Sequence, residues 1–305
     1  MLDHNAFRGH LQDGPKLSGL TTIEEQAWCA WYAAEVYTGA GVIVEWGPWL
    51  GSLTRSYCRG LRQNQHITKG EPIAYLYDLF KWQEWCENEA RGTVHEGRFS
   101  NGESFEPYFR EINEDLLDLL HVRTADLSNC VWSGRPIELI INDAIKSLPI
   151  AGNTFKRFLP HLLPGKGLIA HQDFLWPTEA FLVVLMFLAR ESFCFEFSVP
   201  DSCMVVFRCE KPFASEEIWF PGQFHEIPEA LFDEAFDWVL SILPPRCHAM
   251  AKLGKAVNMH RAGLLDQARE FVDRENLAFP IGDGLYDFQL DVLRQWGYGE
   301  LLEKR

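Results

Sequence analysis

Along the first two-thirds of the chain, short apolar runs alternate with longer segments in which apolar residues recur at helical spacing. The short runs are rich in Val, Ile, Leu and aromatic residues and are bounded by glycine, proline or polar residues, as buried strands are. They predict five strands, at 41–46, 72–80, 121–128, 135–144 and 167–174. The other segments predict helices at 22–37, 53–63, 105–120, 153–165 and 178–191. Thr22, followed by two acids, has the composition of a helix N-cap.

Strand signals continue for one more pair of segments and then stop. Residues 193–202 and 203–211 are two apolar runs separated by a turn, which predicts a hairpin. Repeated strand–helix alternation predicts an α/β fold with a mostly parallel sheet covered by helices on both faces, here closed by an antiparallel hairpin. After a proline-containing loop, helices are predicted at 228–243, 246–263, 264–274 and 285–298. We therefore predict an α/β domain over 1–212 and a helical C-terminal extension over 213–305.

The composition fits a folded protein and argues against several functional classes. Hydrophobic residues make up 47% of the 305 positions and charged residues 23%, as in globular domains. The formal net charge is −15 and there is no basic run, so the overall field opposes binding to nucleic acid. The eight cysteines include no C-x-x-C pair, which argues against a zinc ribbon and favours a reducing compartment.

No segment has the pattern of an export signal or a membrane span. The first 17 residues lack the basic start and apolar core of a signal peptide. The longest apolar run, 180–189, is ten residues long. A membrane helix needs about 20 residues. We therefore expect a cytoplasmic protein without a membrane partner.

Acidic residues stand at or beside the end of each predicted strand. They are Glu45, Asp78, Asp126, Asp143 and, after Gln172, Asp173. Any one of them could be a helix cap or a solvated turn residue. The carboxyl ends of parallel strands share one edge of a sheet, where α/β proteins bind their ligands. Acids gathered there repel one another unless a ligand, a donor or a cation compensates, so the pattern predicts a ligand site at this edge.

The turn after the first strand carries the most specific motif. Glu45, Gly47 and Gly51 form E-x-G-x-x-x-G, which resembles the first motif of class I S-adenosylmethionine-dependent methyltransferases. The resemblance implies a Rossmann-like methyltransferase sheet and S-adenosylmethionine as cofactor, with the glycines allowing the backbone to approach its methionine end. It implies that Glu45 orients the turn or meets the cofactor's amino group, and Trp46 lies inside the motif. Neither the dehydrogenase motif G-x-G-x-x-G nor a Walker A loop is present.

The same resemblance assigns roles to acids further along the chain. Asp78 matches the acid that binds the ribose hydroxyls, Asp126 matches the residue near the adenine amino group, and Asp143 is expected beside the cofactor as well. Aromatic residues are dense around these positions, and those not needed for the core could stack on adenine or on an acceptor. They are Trp46, Trp49, Phe80, Trp82, Trp85, Phe174 and Trp176.

A narrower resemblance, over about residues 20–212, is to the macrocin O-methyltransferase and cephalosporin-hydroxylase-like branch. That branch typically has I-D-G-D-H-x-Y after strand four and an acidic pair after strand five. Here Asp143 keeps the first acid, but Ile145 and Lys146 replace the second acid and the histidine, and the pair becomes Gln172-Asp173.

These departures leave two routes to catalysis open. The branch often binds magnesium, so Asp143, Gln172 and Asp173 could present three oxygens to Mg²⁺. Without a metal, His171 or Asp173 is the candidate general base, and Asp143 completes the catalytic set. His171 could instead be a packed strand residue. Because side chains alternate along a strand, His171 and Asp173 share a face and Gln172 takes the other unless the strand has ended.

We therefore predict an S-adenosylmethionine-dependent O-methyltransferase that acts on a hydroxyl of a small molecule or glycan. Two alternatives remain open: a non-catalytic cofactor-binding scaffold of the same fold, and another α/β enzyme such as a hydroxylase or a nucleotide-sugar enzyme. The expected partners are the acceptor and a second copy in a possible homo-oligomer, with no nucleic acid.

Overall fold

A computed structural model describes residues 3–10, 20–67, 71–132, 134–275 and 290–299. One seven-stranded sheet organises them, in the order β3-β2-β1-β4-β5-β7-β6. The strands are β1 Val42–Trp46, β2 Ala74–Asp78, β3 Leu120–Thr124, β4 Ile137–Asn142, β5 Leu168–His171, β6 Phe193–Ser198 and β7 Val205–Cys209. The first five pair in parallel, and β7 is antiparallel to both β5 and β6. This order confirms the predicted Rossmann-like methyltransferase fold, including its closing antiparallel hairpin.

Nine α-helices flank the sheet within the described ranges. They are α1 Ile23–Trp31, α2 Ser52–Gln63, α3 Glu84–Ala90, α4 Glu106–Ile112, α5 Leu148–Phe158, α6 Phe181–Leu188, α7 Glu229–Ile242, α8 His248–Arg261 and α9 Leu265–Arg274. Thr22 caps α1 as predicted: its hydroxyl accepts from the Glu25 amide, and the Glu25 carboxylate accepts from the Thr22 amide at 2.8 Å. The cap explains why this helix begins where the sequence places it.

Two predicted helices have different bounds in the structure, and one helix was not predicted. The helix predicted over 105–120 ends at Ile112, because the buried side chain of Asn113 donates to the Phe109 carbonyl and occupies the helix end. The helix predicted from 153 begins five residues earlier, with Pro149 in its first turn, where the missing N–H is harmless. Helix α3 was not predicted. Of the helix predicted over 285–298, residues 285–289 lie outside the described ranges.

The core consists of two apolar clusters, one on each face of the sheet. Val44 and Trp46 of β1 face the cluster that packs under α5 to α9, whereas Ile43 faces the cluster that packs under α1 to α4. This alternation sends Glu45 to the α1–α4 face, together with Ile43. A shift of one position along a strand therefore moves a side chain from one face of the sheet to the other.

The C-terminal helices pack on the sheet rather than apart from it. Phe232 and Phe236 of α7 and Val257 of α8 belong to the same apolar cluster as Val44 of β1. Gly254 of α8 lies so close to Ala180 that a Cβ at Gly254 would be 2.5 Å from the Ala180 Cβ. The extension after residue 212 is thus built onto the face that carries α5 and α6. In the described part of the chain, no helix is both long and apolar enough to cross a bilayer.

Candidate active site

Glu45 ties the first strand to the helix that follows it. Its side chain is 2% exposed, and its Oε2 accepts hydrogen bonds from Thr54 Oγ1 and Tyr57 OH of α2, both at 2.7 Å. Burial raises the pKa of Glu45 to about 7, against the opposing effect of these two donors. The carboxyl group therefore holds α2, and with it the turn between β1 and α2, in place.

We expect Glu45→Gln to change how stability depends on pH. The folded protein keeps a proton on Glu45 that the unfolded chain loses above about pH 4.5, so wild-type stability falls as pH rises from about 4.5 to 7. Glutamine can accept both hydrogen bonds without titrating. The variant should match wild type at pH 4 and exceed it at pH 8.5 by on the order of 3 kcal/mol in urea unfolding. Glu111→Gln, at an exposed position, is the control for the Glu-to-Gln change itself. Equal pH slopes in Glu45→Gln and wild type would show that Glu45 is ionised in the fold.

Two glycines of the turn between β1 and α2 have positive φ and neighbours so close that a side chain would collide with them. Gly47 has φ +79, and a Cβ there would lie 2.9 Å from the Ala144 Cβ and 3.1 Å from the Asp143 carbonyl oxygen. Gly51 has φ +91, and a Cβ there would lie 3.0 Å from the Asn113 amide. Gly47 is therefore packed against the loop that follows β4. The direction in which a Gly47 side chain would point is thus filled by the Asp143–Ala144 segment, and the expected contact of this turn with the cofactor stays a prediction.

Trp46, predicted to contact the cofactor, has its side chain in the core. It is fully buried on the α5–α9 face, and its ring packs edge-on against Phe158 at 5.2 Å between centroids. Its carbonyl oxygen accepts the Asp143 amide at 3.0 Å. Strand alternation turns the Trp46 side chain to the α5–α9 face, so only its backbone reaches the crevice between β1 and β4, and contact of Trp46 with the cofactor stays a prediction for that backbone.

Asp78 joins the ends of the first two strands. Its carboxylate accepts the Phe80 amide at 2.7 Å and the Trp49 amide, from the glycine turn, at 3.4 Å. Both Trp49 and Phe80 have positive φ, at 43 and 48. Residues other than glycine adopt this conformation at a cost of roughly 1–3 kcal/mol, and they concentrate at functional sites. Burial raises the pKa of Asp78 to about 6, although the backbone donors oppose this.

Aromatic rings form one wall beside Asp78. The Trp49 ring lies 5.3 Å from Trp85 and 6.3 Å from Trp82, between ring centroids. Trp85 is 44% exposed, whereas Trp82 and Phe80 are buried in the core of the α1–α4 face. Trp49, 8% exposed, also belongs to that core, so Trp85 is the exposed ring of this wall.

Asp126 lies at the same edge but faces solvent. It is exposed, and its carboxylate accepts the Ser128 amide at 2.8 Å, which lowers the pKa of Asp126. The neighbouring Ala125 amide donates to the Asp78 carbonyl at 2.8 Å, so the end of β3 adjoins the end of β2.

The acids after β4 and β5 are brought together by a lysine. Lys146 Nζ lies 3.2 Å from Asp143 Oδ1 and is also hydrogen-bonded to Asp173 Oδ2. The side chains are partly exposed: 47% for Lys146, 25% for Asp143 and 18% for Asp173. Burial raises the pKa of Asp143, and Lys146 opposes the rise. Burial alone would lower the pKa of Lys146. The negative charges of Asp173 and Asp143 outweigh this effect, so the pKa of Lys146 is raised.

Gln172, predicted as a metal ligand together with Asp143 and Asp173, lies against both acids. Its side chain faces the oxygens of both acids, which selects the amide nitrogen as the atom turned toward them. In that orientation the nitrogen lies 2.6 Å from Asp173 Oδ1 and 3.1 Å from Asp143 Oδ1. β5 ends at His171, so the predicted alternation does not extend to Gln172 and Asp173. Among the described residues, no group of three or more His, Cys, Asp or Glu side chains is placed to hold a metal ion.

His171, predicted as an alternative base, is closed off from solvent. It is fully buried among Phe155, Phe174 and Phe207. The Asn142 amide donates to its Nδ1 at 2.8 Å, so the proton lies on Nε2. Burial lowers the pKa of His171 to about 3, which keeps the ring neutral. The alternative reading, a packed strand residue, describes this side chain correctly.

Two acids near the Lys146 group were not predicted from sequence as site residues. Glu179 is 8% exposed, and its Oε2 has no hydrogen-bond partner in the described ranges. Burial raises the pKa of Glu179 to about 7. Lys146 opposes this rise, and Asp173 adds to it. Glu25 accepts from Ser202, and its pKa is raised to about 8 by burial and, more weakly, by Asp173 and Asp143. Glu25 is recognisable in the sequence as part of a capping box, but nothing there indicates its distance from the fifth strand.

Comparisons with known proteins give structural likenesses only, since no family model and no curated protein matches the chain. The apo structure of CalS11, a TDP-rhamnose 3′-O-methyltransferase of calicheamicin biosynthesis, matches at 14% identity over 67% of this chain and 92% of that chain, with a TM-score of 0.42. SAH-bound PaMTH1, a methyltransferase of Podospora anserina, matches at 14% over 69% and 89%, with a TM-score of 0.41. The 23S rRNA methyltransferase ErmE matches at 13% over 83% and 82%, with a TM-score of 0.35. These values are too low to assign a family or a substrate.

Proposed function

We propose that this chain is an S-adenosylmethionine-dependent O-methyltransferase that methylates a hydroxyl of a small molecule or glycan. The observation that carries the proposal is the position of Asp78. Its carboxylate links the glycine turn after β1 to the end of β2 through the Trp49 and Phe80 amides, both on residues with positive φ. This strained turn lies at the carboxyl edge of the sheet, where α/β proteins bind nucleotides, and strained residues concentrate at functional sites.

The donors and acceptors at this edge fit the cofactor. Each oxygen of Asp78 accepts one backbone N–H and keeps a lone pair for a ribose hydroxyl. Trp85, 44% exposed, offers aromatic surface to the adenine, and Asp126 would accept from its amino group. The turn from Gly47 to Gly51 would hold the methionine end. When bound, S-adenosylmethionine supplies a methyl group carried on a positively charged sulfur.

Proton transfer falls to the acids beyond β4 and β5. Three of their four oxygens are engaged by Lys146 and Gln172, which leaves Asp143 Oδ2 without a donor in the described ranges. We assign Asp143 as the base that takes the hydroxyl proton, and Asp173 as the residue that holds Lys146 beside it. In the reaction, the acceptor oxygen bonds to the methyl carbon and the carbon–sulfur bond breaks. The electron pair stays on sulfur, and the proton goes to Asp143 and then to water.

Asp78→Ala should weaken S-adenosylhomocysteine binding by about 1.5–3 kcal/mol, or roughly 10- to 150-fold in Kd, the range for a lost hydrogen bond to a charged group. The measurement is calorimetry well below the melting temperature, because the same change frees the Trp49 and Phe80 amides and lowers stability. Asp237→Ala, which removes an exposed carboxylate on α7, is the matched control and should bind like wild type. Equal affinity in Asp78→Ala and wild type would make Asp78 a purely structural residue.

A ligand screen separates this function from its rivals. S-adenosylhomocysteine should raise the melting temperature, whereas NAD and nucleotide sugars should not. A ligand at 100 times its Kd stabilises by about 2.7 kcal/mol, which a thermal shift resolves. Stabilisation by a nucleotide sugar alone would favour the other α/β enzyme. Cofactor binding without methyl transfer to any of a panel of phenol, sugar and RNA acceptors would favour the scaffold.

A further inference from the structure

The acidic pair at the acceptor site already contains a cation that belongs to the chain. We propose that the Lys146 ammonium takes the place of a divalent metal ion between Asp143 and Asp173, so that the site works without metal. This inference rests on the proposed function for its catalytic meaning, but the occupancy of the site by Lys146 does not depend on it. Lys146 was noted in the sequence only as a departure from the branch pattern.

The geometry of the pair excludes a metal ion as long as Lys146 stays in place. Lys146 Nζ is 3.2 Å from Asp143 Oδ1 and hydrogen-bonded to Asp173 Oδ2. With the Gln172 amide turned so that its nitrogen faces the acids, that nitrogen lies 2.6 Å from Asp173 Oδ1. Mg²⁺ requires oxygen ligands at about 2.1 Å in octahedral geometry. N–H donors cover three of the four carboxylate oxygens, so a metal ion would have to displace the ammonium and turn the amide.

The charge balance explains why a cation is needed here at all. Asp143 and Asp173 share Lys146 as a partner, and Glu179 and Glu25 lie close enough to interact with them electrostatically. Without a positive charge between them, the two aspartates would repel each other. Lys146 satisfies this need from a position three residues after Asp143, on the segment that leads into α5.

Like a metal ion, an ammonium group offers a positive charge to the oxygen of the acceptor. Two of its three N–H groups are directed to Asp143 and Asp173, and one remains for the acceptor oxygen. With 47% of its side chain exposed, Lys146 is accessible from solvent. Its positive charge would stabilise the negative charge that develops on the oxygen as Asp143 removes the proton.

Binding of Mn²⁺, followed by electron paramagnetic resonance with metal alone, tests the occupancy without any substrate. Wild type should leave Mn²⁺ free at concentrations up to about 1 mM. Lys146→Ala should bind one Mn²⁺ at least about tenfold more tightly than wild type, because it exposes two carboxylates of the kind Mn²⁺ prefers. Adding Asp173→Ala should abolish that binding. Lys166→Ala removes an exposed lysine elsewhere and is the charge-matched control, which should behave like wild type.

Two results would overturn the proposal: wild type binding Mn²⁺ as tightly as Lys146→Ala does, or Lys146→Ala failing to bind it in a protein that melts cooperatively. Lys146→Met, which keeps the aliphatic length, guards against collapse of the site in the alanine variant. In methyl transfer, wild type should be indifferent to EDTA, and Lys146→Met should lose at least about 100-fold in kcat with S-adenosylhomocysteine affinity within threefold of wild type. Activity lost to EDTA would also contradict the proposal, whereas a protein that transfers no methyl group contradicts only the proposed function.

Discussion

Asparagine in place of Asp143 is expected to reduce methyl transfer by about 10²- to 10⁴-fold, the usual contribution of a general base. The change is nearly isosteric, and it leaves an oxygen that can still face Lys146 Nζ, which lies 3.2 Å from Asp143 Oδ1. The protein should therefore fold normally and bind S-adenosylhomocysteine within about threefold of wild type. Steady-state kinetics should show the loss in kcat and in kcat/KM, because proton removal is needed only in the transition state.

Asp237→Asn, on the exposed side of α7, is the control for the chemical change and should keep full activity. Asp173→Asn tests whether Asp143 or Asp173 takes the proton. If Asp173 holds Lys146 rather than taking the proton, its loss should cost less than that of Asp143. Full turnover in Asp143→Asn, with a large loss in Asp173→Asn, would reverse the assignment. Full turnover in both would remove this edge of the sheet from catalysis.

The elements that carry the site could be predicted from sequence because their signals are local. The apolar run that ends at Glu45 is bounded by glycines, and the runs that end at Asp78 and Asp143 lead directly into polar residues. Parallel pairing then brings these ends to one edge, so the acids had to lie near one another. Their grouping follows from the type of sheet rather than from any motif.

The direction of individual side chains was harder to predict, because it depends on where a strand stops. β5 ends at His171, so the alternation that would have paired this residue with Asp173 no longer applies. His171 therefore points into the aromatic core while Asp173 lies at the rim. A boundary error of one or two residues is normal in sequence analysis, and here it decides which residue can act as a base.

The partners of the site residues could not be predicted, because they come from distant parts of the chain. Ser202 reaches Glu25 across 177 positions, and Lys146 reaches Asp173 across 27. Such contacts depend on the packing of whole elements, and a single sequence contains no pattern for them. Lys146 is an example: its difference from the branch pattern is visible in the sequence, but its contact with Asp173 is not.

Valine in place of Gly47 is expected to destabilise the fold and to abolish cofactor binding. Gly47 has φ +79, a conformation that a β-branched residue adopts only with strain. Its Cβ would also lie 2.9 Å from the Ala144 Cβ and 3.1 Å from the Asp143 carbonyl carbon. Neither the Asp143 backbone nor the Ala144 Cβ, which is fixed to the backbone, can rotate away. We expect a loss of at least about 3 kcal/mol in urea unfolding, in the range of the severe single substitutions.

Gly102→Ala is the control that separates the cost of a positive φ from the cost of the close contact at Gly47. Gly102 has φ +83, close to that of Gly47, but nothing lies within 4 Å of a Cβ placed there. Gly102→Ala should therefore cost only the left-handed conformation, about 1–2 kcal/mol. Gly47→Ala should cost more, and the excess should measure how closely the glycine turn is packed on the segment after β4. Because that segment carries Asp143, Gly47→Ala should also reduce kcat by more than it reduces cofactor affinity. Equal destabilisation by the two alanine variants, with kcat unchanged in Gly47→Ala, would show that the turn and the acceptor acids are not mechanically linked.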